Sequence, residues 1–222
     1  MSVCLFLSFW TEAPLGDSAK LDRTLAAIPK LAKALVHSRA NADDPYLKDD
    51  KPPQLVLQLY FAELPDLEAA GDDVAALTSG EFPALGKADV TQQAMTARAF
   101  AVPEPATPGC TYLVAYQGEA DDLNAWLGHY LDSHIPVMTR FPGLRELEVY
   151  TRLDWISALP WRRVNFMQRN KVAFDSADAL TAALHSPVRH EMRADFKTFP
   201  PFTGPVTHFA MTTRVVHPLS AR

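Results

Sequence analysis

Apolar positions along the chain alternate between a period of two and a period near 3.6, which separates strands from helices. In the C-terminal half, 112–116 is a short β-rich run, and a helical pattern then extends from about 121 to 141. Pro142-Gly143 stops that helix. Residues 147–151 alternate as a strand, and 164–168 with 172–174 form another. Residues 176–185 predict a second helix with Ser176 as its N-cap, continued for a turn or two after Pro187, and 206–216 is a closing strand. The N-terminal half predicts a strand at 3–10, a helix at 17–35, a strand at 37–41 and an apolar strand at 53–61. A weaker helix at 64–78, interrupted by Gly71, and a closing strand at 94–102 complete it.

Both halves therefore have the order β-α-β-β-α-β. Residues 103–109 between them are proline-rich and continue neither a sheet nor a helix. Ala27-Ile28-Pro29 lies 107 residues before His134-Ile135-Pro136, and Ser79 lies 107 before Ser186. A late proline in two helices is costly enough, at ~3 kcal/mol, to mark a duplication. The expected class is α+β: two fused ferredoxin-like units, 1–102 and 110–222. Their antiparallel sheets pack face to face as an α/β-barrel pseudo-dimer, because each sheet has one face its own helices leave open.

Composition narrows the function less. Of 222 residues 48% are hydrophobic and 21% charged, with a net charge of −5, which suits a packed globule. No basic block exceeds Arg162-Arg163, which argues against nucleic acid as a partner. The longest apolar run, 3–10, falls short of the ~20 residues a membrane span needs and is not flanked like a signal peptide, so a cytoplasmic location is expected. Cys4 and Cys110 form no CxxC, so no disulfide framework or thiolate metal site is expected. Nucleotide-binding and hydrolase motifs such as GxGxxG, the P-loop and GxSxG are absent.

The run 126–143 carries Trp126, Tyr130, His134, Pro136 and the Pro142-Gly143 stop. It resembles the first helix of the EthD-like family, a member of the dimeric α/β-barrel superfamily. Ser186-Pro187, with Asp195 and a following Phe196 or Phe199, resembles that family's second helix. The resemblance covers the C-terminal half well and the N-terminal half mainly in layout. It implies two barrel halves in one chain with a small-molecule pocket between helices and sheet; the family has no single settled reaction.

On a helical wheel Tyr130 and His134 share the apolar face at i and i+4, which sets an imidazole and a phenol against the sheet. A buried His stays neutral near pH 7 and suits a general base, with Tyr130 as donor to an enolate oxygen. The other reading makes His134 a core residue whose ring caps the carbonyl of Asp132, freed because Pro136 lacks an N–H. The N-terminal copy keeps the proline but has Ala27 in place of the His, which favours the functional reading. Trp126 and Phe166 complete the expected pocket wall. The long connection 152–163 offers Trp155 and Trp161 as a lid, or as interface packing, and Arg152, Arg162 or Arg163 as a carboxylate anchor. His185, Arg189 and His190 flank Pro187 as further rim candidates.

Three functions fit. The first is a cofactor-free enzyme that abstracts a proton beside a carbonyl of a small aromatic or polyketide-like acid, for isomerisation, cyclisation or decarboxylation. The second is a non-catalytic protein that binds a hydrophobic metabolite for an oxidation pathway. The third is a haem protein of chlorite-dismutase-like layout, with His134, His185 or His190 as axial ligand. A homodimer of pseudo-dimers is compatible with each.

Overall fold

A computed structural model describes residues 2–47, 51–78 and 82–218. Its first unit consists of β1 (Ser2–Trp10), α1 (Ser18–Ala26), β2 (Leu31–Arg39), β3 (Leu55–Phe61), the short helices α2 (Leu64–Ala69), α3 (Gly71–Ala75) and α4 (Pro83–Gly86), and β4 (Asp89–Phe100). The second consists of β5 (Cys110–Tyr116), α5 (Leu123–His129), a π-helical turn (Tyr130–His134), α6 (Ile135–Met138), β6 (Glu146–Arg152), a two-residue β7 (Arg162–Arg163), β8 (Gln168–Phe174), α7 (Ala177–Leu184), α8 (Pro187–Phe196) and β9 (Val206–Val216). Side chains cap the helices: Asp17, Asp122 and the expected Ser176 accept from backbone N–H groups of α1, α5 and α7.

The strand order is β2-β3-β1-β4 in one sheet and β9-β5-β8-β6 in the other. Antiparallel pairing of β2 with β9 and of β4 with β6 joins the two edges, so eight strands close into one barrel. The α+β expectation of paired ferredoxin-like sheets holds, with the halves joined by backbone hydrogen bonds as well as by packing. The packing divides into three clusters. Leu5, Leu7, Leu57 and Phe61 pack under the first unit's helices, and Trp126, Tyr130, Leu147 and Phe174 under the second's. Cys4, Phe6, Tyr60, Tyr150 and Met211 fill the lumen.

Several boundaries differ from the sequence reading. The helix expected at 17–35 ends at Ala26, and β2 begins at Leu31 rather than at 37. Lys30 turns the chain with φ 59°, a conformation usually left to glycine. Burial of β2 between β3 and β9 outweighs the helical spacing of Ile28, Leu31 and Leu35. Pro29 therefore lies in a turn after its helix, whereas Pro136 lies inside one, and the two prolines are not structural equivalents. Nor is the separation of matching elements constant: β3 opens at Leu55 and β8 at Gln168, a wider gap than 107 residues. Ser79, the other position used in that comparison, lies outside the described residues. The strand expected at 164–168 begins only at Gln168, and β4 starts at Asp89 rather than at 94. Among the described residues no helix is long and apolar enough to cross a membrane.

Candidate functional site

Between the outer face of the second sheet and its helices lies a cavity of ≈ 160 Å³. Its floor is Tyr112, Val114, Asn170, Val172 and His208 of the sheet, and His134, Met138, Leu184 and Phe196 close it from the helices. An apolar cavity of ~150 Å³ accommodates benzene, so the space suits one aromatic ring.

Pro136 determines how His134 reaches this cavity. It has no N–H, and its ring crowds the carbonyl four residues back. The helix responds by widening to a π turn in which the Ile135 N–H donates to the Tyr130 carbonyl. The imidazole is therefore not used as a carbonyl cap. Its Nδ1 lies 2.6 Å from Asp195 Oδ2, and its ring packs edge-on against Phe199 at 4.8 Å. A carboxylate can only accept, so Nδ1 carries the proton and Nε2 is the basic nitrogen. His134 is 4% exposed. Burial pushes its pKa down to about 4 against the opposing pull of Asp195, which leaves the ring neutral at pH 7. Asp195 also lies 3.4 Å from His129 Nε2.

Tyr130 and Trp126 are both 0% exposed and stack on one another at 5.2 Å, behind the cavity wall rather than in it. Asn170 stands in front of them, its Nδ2 donating to the Tyr130 hydroxyl. Burial holds the Tyr130 hydroxyl far above its ordinary pKa, so it stays protonated. Asn170 Oδ1 is buried with no hydrogen-bond partner among the described residues. Such an unmade bond costs ~1–3 kcal/mol, and a ligand hydroxyl would satisfy it.

The cavity has two arginines. Arg189 Nη2 and Nε donate to Asp44 Oδ2 at 2.8 and 3.2 Å, and the Tyr112 hydroxyl donates to the same oxygen at 2.9 Å. Arg193 lies over the Tyr46 ring at 4.8 Å. Asp44, Tyr46 and Leu47 belong to the β2–β3 connection of the first unit. That segment crosses over and covers the second unit's cavity, held further by His185 Nε2 on Asp43 at 2.8 Å and by contact of Tyr46 with His190.

The other positions expected from sequence lie elsewhere. Trp155 and Trp161 pack against the first unit's core, Trp161 edge-on to Phe9 at 6.0 Å, so the 152–163 connection does not cover the His134 cavity. Arg152 is paired with Glu119 at 2.5 Å and Arg162 with Asp89 at 3.5 Å; Arg163 stacks on Trp155. None of the three is available as an anchor there, because the connection follows β4 of the first unit, on which β7 pairs. Phe166 borders a different cavity, at the barrel lumen. The sequence points to Asp195 only through the resemblance of its second helix, and to Asn170, His208 and Asp44 not at all. The spacing of Arg189, Met192, Arg193 and Phe196 at i, i+3, i+4 and i+7 was the available signal for a lining face on α8.

Haem does not fit. Among the described residues the cavity holds one ring rather than a porphyrin, and His185 and His190 are engaged with Asp43 and Tyr46.

No protein-family model matches the chain, and no curated protein matches it. Among solved structures, an anthrone oxidase-like protein is similar over 96% of this chain and 92% of its own, with TM-score 0.61 and 13% identity. A candidate monooxygenase from Lactobacillus acidophilus is similar over 97% and 96%, with TM-score 0.57 and 11% identity. A candidate chlorite dismutase is similar over 96% and 94%, with TM-score 0.58 and 10% identity. At such identities the likeness is one of fold alone, which in this chain is a closed eight-stranded α/β barrel. An EthD-family protein from Bacillus halodurans is 22% identical but covers 44% of this chain with TM-score 0.34, too little to carry an argument.

Proposed function

We propose that this single-chain α/β barrel is an enzyme that needs no bound cofactor and moves a proton on a single-ring aromatic acid carrying a carbonyl or enol. The observation that carries the reading is the His134–Asp195 pair at the edge of a cavity sized for one ring. Nε2 of His134 takes the proton from the carbon beside the carbonyl, and the released electron pair moves onto the carbonyl oxygen. The imidazolium that forms is buried, and Asp195 compensates its charge as it develops. Reprotonation of the enolate oxygen gives an enol whose O–H donates to Asn170 Oδ1. Return of the His134 proton to a different carbon gives an isomer instead. Tyr130 holds Asn170 in place and does not touch the ligand, and Arg193 takes the carboxylate, since Arg189 is already held by Asp44.

The test follows the acidic C–H of phenylpyruvate and a panel of single-ring aryl keto acids by proton NMR in deuterated water. Wild-type protein is expected to accelerate exchange for at least one of them, and His134→Ala to lose ~10²–10⁴-fold of that rate, the usual contribution of a positioned base. Equal rates for the two proteins would sink the assignment. Tight binding with no exchange would move the protein to the metabolite-binding reading.

A further inference from the structure

Two cations stand in one row on the lumen side of β8, two residues apart, and their surroundings differ sharply. Lys171 is fully buried and carries its counter-charges, with Nζ 2.6 Å from Glu146 and 3.0 Å from Glu148. Burial alone would raise the pKa of Glu148, yet Lys171 and the hydroxyls of Tyr150 and Tyr60 hold it down at about 2. Arg169 has no such partner: among the described residues no carboxylate pairs with it. Its guanidinium packs against two rings, 4.8 Å from the Phe6 centroid and 4.5 Å from that of Phe166. Among the described residues its one hydrogen bond is from Nε to the neutral Gln93 Oε1, at 3.3 Å. A cavity of ≈ 60 Å³ adjoins it, with Ser8, Gln117 and Thr207 as further polar groups in or beside the wall.

Arg169 is half-buried and lines this cavity. A cation drawn partly out of bulk water beside apolar rings is favoured by a counter-charge, and partial burial brings its pKa down to about 10, which leaves it charged at neutral pH. We infer that the barrel lumen holds a second ligand site, in which Arg169 binds a small planar monoanion of the formate, bicarbonate or nitrate type. Planarity follows from the guanidinium fork, which presents parallel N–H donors to two oxygens of one anion, whereas a halide meets it at a point. Size follows from the cavity, about two waters' share of liquid volume at ~30 Å³ each. Phe6 and Phe166 both pack against the guanidinium, and no described residue is bonded to its Nη donors. This site lies on the opposite face of the second sheet from His134 and does not depend on the assignment made to that residue.

The experiment is thermal unfolding of the full chain in sodium formate, with sodium chloride balancing ionic strength throughout. The melting temperature of wild-type protein is expected to rise by ~3–6 °C at formate ten-fold above its dissociation constant. Arg169→Gln, with its polar head but no charge, is expected to show no rise. Line broadening of ¹³C-formate by wild-type protein reports the same binding without a variant, should the substitution prevent folding. A flat wild-type melting temperature with unbroadened formate overturns the inference, as does an equal rise in Arg169→Gln.

Discussion

The two units share one order of elements and treat the space between helices and sheet in opposite ways. In the first, β3 turns Leu55, Leu57, Leu59 and Phe61 toward the helices, and Leu21, Leu25, Val74 and Leu77 fill the gap. In the second, β8 turns Gln168, Asn170, Val172 and Phe174 to the corresponding layer, where the cavity opens beside His134. One difference is the helix opposite. In the first unit it ends at Ala26, while in the second it continues through the π turn and delivers an imidazole. A frame this tolerant can keep one half as a solid support while the other is hollowed and made polar.

The comparison breaks most visibly at His134, where the loss of exchange set out above should come with little loss of stability. Next in size are two leucine truncations. Leu57→Ala in the filled unit is expected to cost ~4–5 kcal/mol and Leu184→Ala at the existing cavity only ~2 kcal/mol, read from urea midpoints; equal costs would mean both layers are packed alike. Acid should weaken the fold through two buried histidines. Burial lowers His134 to about 4 and His37 to about 3. Between pH ~6.5 and those values the unfolded chain binds more protons than the folded one, so stability falls as pH drops through this window. His37→Gln should flatten the decline in urea midpoint between pH 6.5 and 4. The smallest effect expected is for Asp195→Asn. Asp195 raises the pKa of His134, so its loss should move the acid limb of the exchange rate below pH 4 and slow the plateau about 10-fold. An unmoved limb would leave Asp195 as packing alone.

Much of the frame was legible because alternation and helical spacing are local. The second unit came through nearly element by element, and even the Ser176 cap was readable. The first unit hid its second strand because Lys30 makes a turn with no glycine to announce it, in a stretch whose apolar spacing suits a helix. The position of His134 against the sheet was legible for a similar reason, since Tyr130, His134 and Pro136 lie on one helix, but that Tyr130 stands behind the cavity wall was not. Asp195 is 61 residues from His134, and Asp44 reaches Arg189 from the other unit. Contacts between distant segments leave no periodic trace. The aromatic and basic 152–163 connection allowed two readings, a lid or packing, and its composition could not separate them because the deciding feature is its path along β4.

Closure of the barrel has a consequence for how the protein keeps to itself. The strands at the ends of both four-stranded sheets are used up on one another, β2 on β9 and β4 on β6, with β7 lying along β4. Open sheet edges are where unrelated chains recruit each other into aggregates. The seams that would be assembled from two molecules in a barrel of separate subunits are here internal, so barrel formation does not depend on concentration. Dilution should not open the cavity, and two genes encoding unequal halves would have no advantage over one in keeping a solid half next to a hollow one.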